Sequence, residues 1–463
     1  MIKLNLIILV IHLSLIKKPT QMNKVIFINE KINNFNKTIT VEGDKSLSIR
    51  WALLASQAVG KSKGFNLLGS DDVLNTLNCL KKLGTKIILK KNYCEINSFG
   101  INSFNYKKNL TLNAGNSGTL ARLILALLIR SPYKIKLIGD KSLSRRDFSR
   151  VINPLKKFGA NFFPKNKNTL PLYIQGNNSI KSIKYNENKG SAQVKSCIML
   201  AALNAPGTTK IIARKSRDHT EILFKYLKVP IKIKKIKNLS FIEVRKKNKI
   251  NSFNYNIPSD ISSSAFFIVL TLLSKKSHIT IKNVNINPSR TGSINILNKM
   301  GAKIIFKNIR YYKGEKIADI FAEAAKSLKG IQCPTRYNSS AIDEFLIIFL
   351  VAAKSKGISV FKDLSELNQK ESPRLKWGSK ILNMMGIKTE LTDDSIKIYG
   401  QPNLKITKQI IIKNYLKDHR IFMMSTIAAL TCGGEWKIHD KNSINTSFPS
   451  FLKIIKKINN KSI

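Results

Sequence analysis

The sequence predicts an α/β fold built from six repeated units, and three observations predict it. Six segments share one pattern: small or polar residues, about ten to fifteen mostly apolar helix-like residues, a Gly or Lys-Ser break, and a β-rich strand. Their polar landmarks, Asp44, Asn116, Ser191, Asp260, Asp343 and Asp418, are 72, 75, 69, 83 and 75 residues apart. A second helix follows most of them and ends in a Gly turn into a strand, as in LNCLKKLGTKI, INPLKKFGANF, LNKMGAKI and LNMMGIKTEL. Gly after a helix with Lys in its last turn is a stop signal. Each unit therefore reads as strand–helix–strand–helix–strand.

The first unit, 43–68, opens Gly43-Asp44-Lys45-Ser46. Ser46 and Arg50 are four residues apart and share a helix face, with Lys45 at the helix start. The second, 116–139, carries Asn116, Gly118 and Arg122, and the Gly permits close backbone approach to a ligand. Arg145 and Arg146 follow in a turn. The third, 190–213, offers Ser191 and Gln193 and leads to Ser216-Arg217-Asp218-His219. The fourth, 259–284, opens on Asp260. The fifth, 341–364, sets Asp343 and Glu344 at the mouth of a very apolar helix, where acids act as caps or as groups with shifted pKa. Beyond it, Ser372 reads as an N-cap and Pro373 as the first helical residue, which leaves Lys370 and Glu371 in the loop before Arg374. The sixth, 418–440, starts Asp418-His419-Arg420.

The first helix of each unit is apolar nearly all round, so it must be buried on most sides. Helix N-termini carry free N–H groups and partial positive charge. Six of them, with Arg beside several, predict a cleft for anions.

Composition narrows the function classes. The chain has 463 residues and a net charge of +53. Only 14 of its 80 basic residues are Arg, and the Lys are spread along the whole length. That favours a diffuse compositional excess over a nucleic-acid footprint, and a positive field attracts small anions. Arg retained in a Lys-rich chain points to bidentate grip of phosphate or carboxylate. Five cysteines without a CxxC pair exclude a disulfide framework and a Cys-based zinc site, and suit a reducing, cytoplasmic setting. No apolar run reaches the roughly 18–20 residues of a membrane span. The opening MIKLNLIILVIHLSLIKK has an apolar stretch of about 13 residues and no small-residue cleavage site. Residues 1–22 read as an over-extended start, with Met22 the cleaner beginning.

Taken in order, GDKSLSIR, NSGTLAR, GDKSLSRR, GSAQVKS, SRDHTE, DISSSAFF, NPSRTG, IDEFLI, KESPRL, DHRIFM and NTSFP resemble the EPSP synthase family, the 3-phosphoshikimate 1-carboxyvinyltransferases of the enolpyruvate transferase fold. The resemblance spans about residues 24–455. It implies an inside-out α/β barrel architecture of two domains, each of three βαβαββ units. One domain would be 42–257, mainly binding shikimate 3-phosphate. The other would be 23–41 with 258–463, carrying the catalytic acids and the phosphoenolpyruvate-binding arginines. It implies transfer of the enolpyruvyl group of phosphoenolpyruvate to the 5-hydroxyl of shikimate 3-phosphate, without metal or organic cofactor, by a monomer with no nucleic-acid or membrane partner. Carried over by motif, Lys45, Ser46, Arg50, Ser191, Gln193, Arg217, Asp343 and Lys370 would hold shikimate 3-phosphate. Lys45, Asn116, Gly118, Arg146, Gln193, Arg374 and Arg420 would hold phosphoenolpyruvate. Asp343 would act at the 5-hydroxyl and Glu371 at C3, with Lys45 and His419 at the departing oxygens.

The chain departs from the family pattern at five places. Glu42 and Asp147 stand where Pro is common, and Asp147 is placed to pair with Arg146. Asn368 replaces an Arg, Pro373 replaces an Asp, and Thr446 stands where some members have a Lys that reaches phosphoenolpyruvate. The rival readings are the sister enzyme acting on a UDP-amino sugar, a basic nucleic-acid-binding protein, and a catalytically dead relative.

Overall fold

The computed structural model describes residues 24–90 and 93–459, so the proposed extension 1–22 lies outside the described residues. Six helices open the six units: α1 (Lys45–Ala55), α2 (Gly118–Leu127), α3 (Ala192–Ala202), α4 (Ile261–Leu273), α5 (Phe345–Ala353) and α6 (His419–Cys432). The polar landmarks are mostly their caps. Asp44 accepts from the Leu47 N–H at 2.8 Å, Ser191 from Val194 at 3.3 Å, Asp260 from Ser262 at 2.7 Å and Asp418 from Arg420 at 2.9 Å. Such a cap contributes about 1 kcal/mol. In the second unit the cap is Ser117, one residue past Asn116. The fifth helix differs. No side chain caps it, because a short helix, Asn338–Ala341, precedes it and leaves Asp343 free to face elsewhere.

All nine residues of α5 are buried, and α4 and α6 are buried almost throughout. Each large apolar side chain so buried contributes about 1.5–3 kcal/mol. Helices α1 and α2 pack together, as do α2 and α3; α4, α5 and α6 pack mutually. The sheets lie outside them. Alternating strands such as Ala58–Phe65 turn one face to the helices and the other, rich in Lys, to solvent.

The units follow a βαβαββ plan, which the sixth shortens to a three-stranded sheet of Ile410–Ile412, Trp436–Ile438 and Ile26–Ile28. In the second, Thr111–Asn113 and Ile135–Ile138 run parallel around α2, and Leu172–Gln175 and Asn161–Phe163 extend the sheet antiparallel. Three units take a strand from elsewhere in the chain. The first takes Ile250–Asn251 and Tyr255–Asn256, the fourth Asn36–Ile39, and the sixth Ile26–Ile28. In the fifth, the opening strand shrinks to two bridges, Lys329↔Lys356 and Gln332↔Val360.

Two separate apolar cores result. One draws on residues 47–257, the other on 26–41 and 261–458. The chain crosses between them twice, side by side. The Asp44 N–H donates to the Pro258 carbonyl at 2.8 Å, and the Asp260 N–H to the Glu42 carbonyl at 3.1 Å. A Cβ at Gly43 would stand 2.1 Å from the Asn66 carbonyl oxygen, so the crossing needs glycine there.

Candidate active site

Between the two cores runs a cleft lined by the N-terminal ends of α1, α2 and α3 on one side and by α6 and the loops before α5 and Arg374–Met384 on the other. All fifteen residues singled out from the sequence line it: Lys45, Ser46, Arg50, Asn116, Gly118, Arg146, Ser191, Gln193, Arg217, Asp343, Lys370, Glu371, Arg374, His419 and Arg420. Buried helix starts explain the convergence, because parallel helices in one layer end on one surface.

Two carboxylates face each other's cations there. Asp343 contacts Arg217 Nη2 at 2.5 Å, across the cleft, and lies 3.8 Å from Lys370 Nζ and 3.7 Å from Arg374 Nη1. Burial would raise its carboxyl, but Arg217, Lys370, Arg420 and Arg374 hold it well below the usual carboxylate range. Glu371 pairs with Arg374 and has Arg146 Nη2 at 3.5 Å. Burial again opposes ionisation, and the permanent charges of Arg374, Arg146 and Lys45 prevail, so Glu371 also sits well below its ordinary range. His419 goes the other way. Burial and the Lys45 charge keep its imidazole neutral against the pull of Glu371. Burial likewise lowers the Lys370 ammonium, with Asp343 opposing.

The cations are only partly satisfied. Arg374 is anchored by Asp418 at 2.8 Å. Buried N–H groups of Arg146 (Nε, Nη2) and of Arg420 (Nη1) make no hydrogen bond among the described residues. Glu371 stands 3.5 Å from Arg146 Nη2 and Glu344 3.8 Å from Arg420 Nη1, which is charge contact without hydrogen-bond geometry. Buried guanidinium donors left open beside a cleft suit an anionic ligand.

The neutral groups are held from behind. Asn116 donates its amide to Asp140 at 2.6 Å. Gln193 donates to Thr119 Oγ1 at 3.0 Å and accepts from Arg122 Nη1 at 3.0 Å. Arg50 is buried, and three of its five N–H donors go to Thr220, Ser196 and the Ser46 carbonyl. A Cβ at Gly118 would meet Arg122 Nη1 at 2.8 Å and Arg146 Nη1 at 3.0 Å, so glycine lets both guanidiniums approach the start of α2.

Two readings of the sequence change. Asp147 does not pair with Arg146; both its oxygens go to Ser149, to the N–H at 2.8 Å and the hydroxyl at 2.5 Å, which closes the turn before the helix Ser149–Phe158. Ser372 is not an N-cap. The helix begins at Arg374 behind Pro373, and the Ser372 hydroxyl donates to Asp418 at 2.9 Å.

Other polar residues at the site have no role in the sequence reading, Arg122 of the second unit among them. Asp72 receives the Lys45 ammonium at 3.0 Å. Arg122 stacks over Phe148 at 5.0 Å while it orients Gln193, and burial lowers its guanidinium to about 10. Arg290, only 2% exposed, donates to Asp44 at 2.9 Å and to the Ser262 hydroxyl at 2.7 Å, with Asp260 at 3.5 Å. Ser262 passes its own proton to Glu344. The Lys45 backbone N–H donates to Asp260 at 3.1 Å. One buried cation thus joins carboxylates whose sequence neighbours, Lys45 and Asp343, face the cleft. Among the described residues no group of three or more His, Cys, Asp or Glu is placed to hold a metal ion.

The family model for EPSP synthase (3-phosphoshikimate 1-carboxyvinyltransferase) matches residues 29–455. The chain belongs to the EPSP synthase family. Curated EPSP synthases agree along nearly their whole length. The chain is 40% identical over 434 residues to the 3-phosphoshikimate 1-carboxyvinyltransferase of Ruthia magnifica subsp. Calyptogena magnifica, covering 93% of this chain and 97% of that one. It is 38% identical over 437 residues to the enzyme of the same name from Thermodesulfovibrio yellowstonii, covering 94% and 99%. Among solved structures, the EPSP synthase from Acinetobacter baumannii superposes with a TM-score of 0.82 at 34% identity, covering 94% of this chain and 98% of that one. The enolpyruvyl transferase NikO from Streptomyces tendae superposes at 0.73 with 12% identity, over 94% and 98%, and speaks for the fold alone. The fold is therefore the enolpyruvate transferase fold, two domains of three βαβαββ units each. The EPSP synthase match does not favour the UDP-amino-sugar and nucleic-acid readings. No helix among the described residues is long and apolar enough to cross a membrane.

Proposed function

We propose that this chain is a 3-phosphoshikimate 1-carboxyvinyltransferase that joins shikimate 3-phosphate to phosphoenolpyruvate and releases phosphate. One observation carries this reading at the level of chemistry: two ionised carboxylates, Asp343 and Glu371, share one cleft with open Arg donors. The 5-hydroxyl adds to C2 of phosphoenolpyruvate while C3 gains a proton. The tetrahedral intermediate then loses phosphate and the C3 proton. Both acids rest deprotonated in the free protein: Asp343 is ready as the base, whereas Glu371 must take up a proton as the substrates bind, give it to C3 in the addition and take it back in the elimination. Asp343 takes the hydroxyl proton. Glu371 exchanges the proton at C3. An anion that engages Arg146 and Arg374 shares the charge that holds Glu371 down, so its pKa rises and it can carry that proton.

The site roles belong to the same proposal. Ser46, Arg50, Ser191, Arg217, Asp343 and Lys370 hold shikimate 3-phosphate; Asn116, Gly118, Arg146, Arg374 and Arg420 hold phosphoenolpyruvate, with Lys45 and Gln193 reaching both. The domain limits 42–257 and 23–41 with 258–463 are supported by the two cores and the paired crossings. Five buried, unpaired cysteines favour a reducing cytoplasm, and a monomer suffices because both faces of the cleft come from one chain.

Phosphate release tests the reading, with shikimate 3-phosphate and phosphoenolpyruvate supplied together and each alone. Release only with both is the expected result; none from a folded protein removes the assignment. Arg146→Ala tests the division of roles. It should raise the KM for phosphoenolpyruvate roughly tenfold or more, as loss of a charged hydrogen bond predicts, and that for shikimate 3-phosphate much less. Equal effects on both would sink the assignment of Arg146.

A further inference from the structure

Thr446 ends a 3-10 turn, Lys441–Thr446, at the edge of the cleft. The turn is held from below by Phe448, whose ring packs edge-on against Phe267 at 5.8 Å and beside Phe451 at 5.9 Å. Two polar atoms lie within reach of the Thr446 hydroxyl: the Ser443 carbonyl at 2.9 Å and His419 Nδ1 at 3.3 Å. A hydroxyl has one proton to give. The carbonyl can only accept, so the proton goes to Ser443. The hydroxyl's lone pair is what remains for the imidazole. A bare Nδ1 would then oppose lone pair to lone pair at the edge of a buried ring; an Nδ1–H would be satisfied.

We infer that Thr446 is a positioning residue: it fixes His419 as the Nδ1–H tautomer, so the ring presents a bare Nε2, a hydrogen-bond acceptor, to the cleft. The inference rests on the proposed transferase reading for its consequence and on the hydrogen bonds alone for its substance. The charged groups around the ring are Lys45 on α1, Arg420 on α6, and Glu371 and Arg374 from the loop and helix opposite. With Nε2 bare, His419 accepts from a protonated oxygen or from the Lys45 ammonium and donates nothing toward the substrates. Lys45 is then the donor to the departing phosphate, and His419 keeps it aimed. A threonine at the edge of the cleft thus acts through the ring of its neighbour.

The test uses the full chain without substrates. Long-range 15N–1H correlation reads which ring nitrogen of each histidine carries the proton, and His419→Asn identifies the signal. Wild type should show Nδ1–H. Thr446→Ser keeps the hydroxyl and should show the same ring state. Thr446→Val keeps the shape and loses the acceptor, so it should show Nε2–H or a mixture. Turnover should fall about tenfold in Thr446→Val, less than the roughly hundredfold or more expected when an acid or base is itself removed, and stay within about twofold in Thr446→Ser. An Nε2–H ring in wild type overturns the proposal, and so does an unchanged ring state in Thr446→Val. Because the ring is read in the resting protein, a wild type that releases no phosphate would count against the transferase reading and leave this result to be judged by itself.

Discussion

Glu371→Gln should cut turnover about a thousandfold while shikimate 3-phosphate still binds, a loss at the centre of the range for removed acid–base catalysis. The amide matches the carboxylate in size and cannot take a proton from C3. The fold should survive, because Arg374 keeps Asp418 at 2.8 Å and Asp343 at 3.7 Å when it loses Glu371. Steady-state turnover and calorimetric binding of shikimate 3-phosphate separate the two effects. Near-normal turnover would take Glu371 out of the mechanism. Lost binding together with lost turnover would make it a structural acid.

The second large effect is on stability. Arg290→Gln should destabilise the protein by about 3–5 kcal/mol, the usual cost of leaving a buried charge without its partner. Asp44 is fully buried and Asp260 nearly so, and Arg290 is the guanidinium both of them face. Removal of the cation strands Asp44 at the start of α1 and loosens Ser262 from the arm that reaches Glu344. Adding Asp44→Asn should then recover part of the loss, since a neutral amide needs no counter-charge. Urea unfolding of the two single variants and the double variant measures the coupling, expected to be at least about 1 kcal/mol for residues in direct contact. Strict additivity would show that Arg290 does not hold Asp44.

Much of this was legible in the sequence, for reasons that differ by residue. Asp44, Ser191, Asp260 and Asp418 stood out because a short polar side chain before an apolar run is what a helix start requires, and each proves to be a cap. Even spacing revealed the six units because each repeats the same helix packing. Spacing could not reveal that Ile26–Ile28 and Asn36–Ile39 complete the sixth and fourth sheets. Strands of three or four residues carry no periodicity of their own, and their partners are chosen by the tertiary fold. The cleft residues were marked by scarce Arg and by motif order. Asp72 was not, and Arg290, although it stands in the NPSRTG motif, had no role assigned to it. An acid in the first turn of a helix looks like a response to the helix dipole, and nothing local tells a buried Arg from a solvated one. Asp147 and Ser372 misled for a related reason, since each had two plausible partners nearby and only the backbone path decides between them.

The borrowed strands also set an order of assembly during synthesis. Everything in the first core lies between residues 47 and 257, so that core can close once this stretch has left the ribosome. The other core cannot. Ile26 is among the first of its residues to be made, and the strand it pairs with, at Ile438, arrives more than 400 residues later. Asn36–Ile39 can pair once His278–Ile281 has been made, but Ile26–Ile28 hangs from a finished neighbour with its edge unpaired until the chain is nearly complete.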